Sequence, residues 1–188
     1  SAIGYYGDRG NELLREDSAP GTGFLPEVCQ EWESATADAA SKGIRVVNTR
    51  FGIVLSDKGG AVKQMLTPFK LGLGGKIGSG HQYFSWIAID DVVSAINYVL
   101  QNETISGPVN FVTPTPVTNE EFTRILAKVL CRPAIFPMPA FAAKKVFGEM
   151  ADALLLASAK VEPSKLLESH YPFRYPELEG ALRNILEY

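Results

Sequence analysis

The sequence predicts an α/β fold: the end of a parallel sheet, with a smaller mixed lobe interleaved with it and following it. Three observations carry that expectation. A helix-patterned segment over 25–42 runs into the β-rich Ile44-Arg45-Val46-Val47-Asn48-Thr49-Arg50, with a further helix candidate behind it. Such alternation is the βαβ rhythm of a parallel sheet. A second strand, Pro108-Val109-Asn110-Phe111-Val112, follows another helix, and beyond Thr118 helices joined by proline-bearing connectors take over.

Each element has its own signal. Residues 8–23 carry Asp, Asn, Glu, Ser, Pro and Gly and read as an exposed loop. The helix from Leu25 to Lys42 has Pro26 and Glu27 in its first turn and Gly43 as its C-terminal cap. Val28, Trp32, Ala35 and Ala39 share one face of it. Phe51 to Leu55 extends the next strand or turns off its end, and Ala61 to Leu71 is the next helix. Gly72 to Gly80 is a glycine-dense loop, and Tyr83 to Ile89 a short strand. Asp90 or Asp91 then caps a helix reaching Gln101. Thr118 and Glu121, three apart, form a capping box that opens a helix to Cys131. Pro133 to Pro139 is a connector, Ala140 to Met150 helical, and Tyr171 to Tyr175 a short strand. Pro163 and Pro176 stand where helix-starting prolines go. The expected division is 1–115 for the sheet end with interleaved lobe segments, and 116–188 for a helical lobe.

Composition narrows the function classes. The 188 residues are 46% apolar and 21% charged, with a formal net charge of −3 and no long run of one sign. That balance argues against nucleic acid or an anionic membrane surface as the main partner. The apolar run Ala153-Leu154-Leu155-Leu156-Ala157 is far too short to span a bilayer. No signal peptide is recognisable, and the first residues lack an initiator Met, so the chain is expected to begin inside a longer one. Cys29 and Cys131 are widely spaced, which argues against zinc and for reduced thiols in a cytoplasmic setting. No metal site is expected.

Three segments resemble the extended short-chain dehydrogenase/reductases: Ser1-Ala2-Ile3-Gly4-Tyr5-Tyr6-Gly7-Asp8, Thr49-Arg50-Phe51-Gly52-Ile53-Val54-Leu55, and Phe84-Ser85-Trp86-Ile87-Ala88-Ile89-Asp90-Asp91-Val92. A closer resemblance is to an atypical subgroup described as nucleoside-diphosphate-sugar epimerases, in places as cell-division inhibitors. It rests on Val28-Cys29-x-x-Trp32-Glu33, on Arg50-x-Gly52-Ile53-Val54-Leu55, on the run from Pro68 to Gln82, and on a carboxy-terminal signature around Leu154 to Leu186. It covers essentially the whole chain. The resemblance implies a Rossmann-type sheet, truncated here, and a small-molecule substrate. It implies NADP as cofactor, with NAD an alternative.

Two departures from that family bear on chemistry. Its dinucleotide fingerprint, Gly-x-x-Gly-x-x-Gly after a first strand, has no counterpart, so this chain alone is expected to bind a dinucleotide poorly. Its Tyr-x-x-x-Lys acid/base pair is replaced by Leu25 and Cys29. Two functions follow as alternatives: an oxidoreductase or epimerase-like enzyme, and a cofactor-sensing protein without turnover. A third assigns partner binding to the carboxy-terminal lobe.

The resemblance also supplies the candidate site residues. Ser1 and Tyr5 are the catalytic candidates, Ser1 by hydrogen bonding that polarises a substrate carbonyl and Tyr5 as a hydroxyl near the lost Tyr. Arg50, Gly52, Ile53 and Val54 are the cofactor candidates, a glycine allowing close backbone approach. Lys70, Gly78, His81, Gln82 and Trp86 are the substrate candidates, in and beside a loop whose backbone N–H groups can cradle phosphate. Each has a plainer alternative: aromatic packing for Tyr5, a turn glycine for Gly52, a flexible connector for the loop, a surface histidine for His81 and core packing for Trp86. An unpartnered sheet edge would favour self-association, so a homodimer is a further expectation.

Overall fold

A computed structural model describes residues 1–141, 145 and 156–187. A 3₁₀ turn, Ile3–Tyr6, opens the chain, and Ala2 pairs in parallel with Phe51. The central parallel pair is β2 (Val47–Phe51) against β6 (Gly107–Phe111). A second parallel pair sets β3 (Ile53–Leu55) against β5 (Trp86–Ala88). The α/β expectation therefore holds.

Gly52 joins these two pairs. Its N–H bonds Phe111 O, on the β6 side, whereas the N–H of Ile53 already bonds Ser85 O, on the β5 side. A Cβ at Gly52 would lie 2.6 Å from Ser85 O and 2.6 Å from Val112 Cγ1. Glycine is required because three chain segments converge there, and not for a βα turn.

Helices cover both pairs. Helix α4 (Ile89–Gln101) lies over β2 and β6, burying Val92, Ala95 and Val99 with Val109, Phe111 and Leu166. Helices α3 (Gly60–Lys70), α5 (Asn119–Leu130) and α7 (Leu178–Leu186) enclose the largest core, where Leu55, Phe69, Trp86, Phe122, Leu126 and Leu182 meet. That core draws on both halves of the chain. Helix α5 starts on the expected capping box: Thr118 Oγ1 accepts from Glu121 N at 3.2 Å, and Glu121 Oε2 accepts from Thr118 N at 2.8 Å. A short helix α6 (Ser164–Glu168) follows Pro163.

Several expectations are corrected. The single helix over 25–42 is two, α1 (Phe24–Ser34) and α2 (Ala37–Ser41). At the break, Ser34 Oγ and Thr36 Oγ1 donate to the carbonyls of Glu31 and Glu33, competing with helical bonding. The buried face of α1 carries Pro26 and Cys29, while Trp32 is 58% exposed. Within the expected loop 8–23, Leu13–Leu14 form strand β1, because Leu14 is buried, and pair in parallel with β8 (Lys160–Val161). The expected strand Tyr83 to Ile89 divides: β4 (Tyr83–Phe84) pairs antiparallel with β7 (Val117–Thr118), and Ile89 begins α4.

Neither Asp90 nor Asp91 caps α4; Ala88 does, without a side-chain bond. Asp91 is buried and accepts from Arg174 N, Tyr175 N and the Tyr171 hydroxyl. Those bonds hold 171–175 as irregular chain where a strand was expected. Most of the expected helix over 140–150, and Leu154 and Leu155 of the carboxy-terminal signature, lie outside the described residues. Among the described residues, no helix is long and apolar enough to cross a membrane.

Candidate functional site

The carboxyl end of β2 is where a parallel sheet offers a ligand site, and polar side chains collect there. Cys29 and Glu33 lie one helical turn apart on α1, so both face inward. The Cys29 thiol reaches Ala2 O at 3.8 Å. The Glu33 carboxylate takes Arg50 Nε on Oε1 and Arg50 Nη2 on Oε2, each at 2.8 Å. Ser1 Oγ donates to the same Oε1 at 2.8 Å.

Arg50 is 2% exposed and committed throughout. Its Nη1 bonds Tyr6 Oη at 2.9 Å and Glu16 O at 3.2 Å, and its guanidinium lies 3.5 Å from the Tyr5 ring centroid. Tyr6 Oη donates to Asn110 Oδ1 at 2.7 Å. Asn110 N in turn bonds Glu16 Oε1 at 3.1 Å, and Glu16 Oε2 has no partner.

Burial alone disfavours both charges of the Arg50–Glu33 pair. The hydrogen bonds from Arg50 and Ser1 outweigh it and hold Glu33 below the usual carboxylate range. Burial likewise opposes the guanidinium charge, but the bond to Glu33 and its neighbours raises the Arg50 pKa on balance. Tyr6 is pushed up to about 12, chiefly by burial. Its phenol stays protonated at neutral pH and is a structural donor.

The candidate residues thus fall into two sets. Glu33 brings Ser1 and Arg50 together, and Tyr5 joins them through its ring against the Arg50 guanidinium, with Gly52, Ile53 and Val54 next along the chain. Ile53 and Val54 are half-buried and pack against the two larger cores. Arg50 is held by protein groups on every side named above, and Gly52 is accounted for by packing.

The second set is the glycine loop. Gly78 N bonds Met138 O at 2.9 Å, and Gly80 N bonds Ile77 O at 3.2 Å. Ile77 N bonds Asn119 Oδ1 at 2.8 Å. His81 is exposed and its N–H bonds Ser79 Oγ at 3.2 Å. Gln82 is buried, with Nε2 donating to Ile77 O at 2.9 Å. Asn119 N and Glu120 N, at the start of α5, bond the carbonyls of Gln82 and Gly80. Of the backbone N–H groups in and beside the expected phosphate cradle, those of Ile77, Gly78, Gly80 and His81 are therefore already taken by protein acceptors. Lys70 is exposed at the end of α3, and its carbonyl accepts from Arg132 Nε. Trp86 is fully buried, and its indole N–H lacks a partner. A cleft of about 750 Å³ runs between α5 and residues 132–137, lined by Lys76, Arg124, Lys128 and Arg132 among others.

Sequence reasoning missed Asn110 and Glu16; it met Tyr6 only as a neighbour of Tyr5 and Glu33 only as part of a motif, although the spacing of Glu33 from Cys29 puts an acid on an inward face. Tyr6, Asn110 and Glu16 meet through residues 94 and 104 positions apart. Among the described residues, no three His, Cys, Asp or Glu side chains gather to hold a metal ion.

Comparison with known proteins adds the following. A family described as a domain of unknown function, DUF1731, matches residues 138–185. An epimerase family protein of Mycobacterium bovis is 41% identical over 97% of this chain and 60% of its own length. Epimerase family protein SDR39U1 of Homo sapiens is 38% identical over 99% of this chain and 64% of its own. The crystal structure of human SDR39U1 (isoform2) with NADPH superposes with a TM-score of 0.90 at 36% identity, covering 100% of this chain and 63% of that one. The structure of a nucleoside-diphosphate sugar epimerase from Corynebacterium glutamicum gives 0.82 at 38%, covering 99% and 36%. The chain spans about three fifths of the length of the curated relatives it matches.

Proposed function

We propose, from its similarity along nearly its whole length to epimerase family proteins, that the chain is part of an atypical extended short-chain dehydrogenase/reductase that works with NADP(H) as an oxidoreductase or epimerase-like protein on a small molecule. The observation that carries the reading is a hydroxyl, Ser1, fixed by a buried ion pair at the carboxyl edge of parallel strands. The NADPH in human SDR39U1 supports NADP(H) as the cofactor. In this reading the cofactor supplies hydride chemistry. The chain's own part is to orient substrate at Ser1 and to offer Ile53 and Val54 as apolar surface beside it. The loop from Gly78 to Gln82 shapes the substrate end by its fixed position.

A second reading, cofactor binding without turnover, is favoured by one feature. Leu25 and Cys29 stand where the family's acid/base pair would, and both pack under the opening segment. A Cβ at Gly4 would lie 3.5 Å from Leu25 Cβ, and the Cys29 thiol meets Ala2 O. Neither offers a proton donor of the usual kind.

Titration of the full-length protein with NADPH, followed by cofactor fluorescence, tests both. Saturable binding is expected, and its absence overturns both. NADPH oxidation with a panel of carbonyl compounds, or NADP+ reduction with the matching alcohols, then separates the enzyme from the sensor.

A further inference from the structure

The cleft between α5 and residues 132–137 carries more positive charge than its carboxylates match. Its volume of about 750 Å³ is that of a small-molecule site. Lys76, Arg124, Lys128 and Arg132 line it, and among the described lining residues Glu120 is the one carboxylate. Glu120, Arg124 and Lys128 follow at four-residue spacing and so form one row along α5. Lys76 pairs with Glu120 at 3.0 Å, and Lys128 with Glu179 at 2.7 Å. Arg132 donates from Nε to Lys70 O and from Nη1 to Cys131 O, each at 3.2 Å, and both acceptors are neutral carbonyls. Arg124 has no hydrogen bond or ion pair to a described residue.

Two exposed guanidiniums therefore face the cleft without a carboxylate. A cation in the last turn of a helix is explained by the helix dipole alone, which accounts for Lys128. Arg124 lies in the middle of α5, where that explanation fails. A planar guanidinium offers paired N–H donors that fit a phosphate in two-point contact, and two of them balance a dianion. Ala127, Pro133, Ala134 and Ile135 make the remaining lining apolar. We propose that this cleft binds a phosphate monoester carried on a small apolar body, with Arg124 and Arg132 taking the dianion and the apolar lining taking the body. None of the lining residues belongs to the sheet edge around Ser1 and Glu33, so the cleft is a second site, independent of the functional reading above.

The test is titration of the full-length protein with phenyl phosphate, followed by ligand-observed NMR. Inorganic phosphate and benzyl alcohol serve as probes lacking the ring or the charge. Saturable binding of phenyl phosphate is expected, with each of the other two weaker by about fivefold or more, since one loses apolar burial and the other the charged hydrogen bonds. Arg124→Gln and Arg132→Gln are each expected to weaken phenyl phosphate about fivefold, and the double variant to lose it. Both side chains are exposed, so the urea midpoints of the variants should stay near that of the wild type. Should the double variant fail to fold, Arg124→Gln decides by itself, because Arg124 holds no described residue in place. Saturating NADPH is expected to leave phenyl phosphate bound. Several results overturn the proposal: no saturable binding to the wild type, equal affinity for inorganic phosphate or benzyl alcohol, an affinity unchanged by the substitutions, or displacement by NADPH. Failure of NADPH itself to bind defeats the functional reading and leaves the phenyl phosphate result to report on the cleft.

Discussion

At the sheet edge, polar side chains hold one another: Ser1, Glu33, Arg50, Tyr6 and Asn110 form a chain of hydrogen bonds around one mostly buried ion pair. In the glycine loop, backbone groups are held by backbone and by the Ser79, Gln82 and Asn119 side chains, and the nearby ion pair of Lys76 with Glu120 lies exposed. The first arrangement concentrates charge where water is excluded and gives each side chain a fixed direction. The second fixes the path of the chain and leaves its side chains, such as His81, in solvent. The difference teaches that a glycine-dense loop is no evidence of an open anion cradle. It also teaches that a sheet edge without a Tyr-x-x-x-Lys motif still carries oriented polar groups.

The largest test of that contrast is Arg50→Met. Removing the guanidinium strands the Glu33 carboxylate and is expected to cost about 3–5 kcal/mol of stability, read by urea denaturation. Gly52→Ala, which drives a methyl group against Ser85 O and Val112, should cost about 1–3 kcal/mol in the same assay. In the loop, Asn119→Ala leaves the Ile77 N–H unpaired, a loss of about 1–2 kcal/mol, offset in part because Asn119 Nδ2 is itself unpartnered.

Acid titration separates the regions more finely. The folded-state pKa of Glu33 lies below its ordinary value of 4.5. Its contribution is thus complete above that value and lost as pH falls through the lower one, since the unfolded chain binds the proton first. Denaturation midpoints followed from neutral pH downward should fall in that window, and a Glu33→Gln protein that folds should show a shallower fall. The smallest effect is expected for Lys76→Ala, whose partner is exposed; its midpoint should match the wild type within error.

Much of the fold was legible in the residues. The alternation of helix and strand predicted parallel pairing, and Thr118 with Glu121 marked the start of α5 within one residue. Both signals are local: a period and a spacing. The misreadings share a cause. Trp32 was placed on an apolar face by its spacing from Val28, but the residues α1 buries are Pro26 and Cys29, and Trp32 is left in solvent. Asp91 was read as a cap because it stands at a helix start, yet its partners are Tyr171, Arg174 and Tyr175, which no local pattern announces. At the candidate site, the motifs located Ser1 and Arg50 without revealing that Glu33 binds them both.

By itself the sequence determined the fold class, the resemblance to the epimerase-like branch, and the absence of any Tyr-x-x-x-Lys in these 188 residues. Those follow from residue identity and near-neighbour spacing, which folding does not alter. Only the tertiary structure decided which way the Ser1 hydroxyl points, that Arg50 is held by protein groups, and that the N–H groups of Ile77, Gly78, Gly80 and His81 already have acceptors. A hydrogen bond is set by distance and direction between groups far apart in the chain, and those exist only once the sheet, α1 and α5 have packed together.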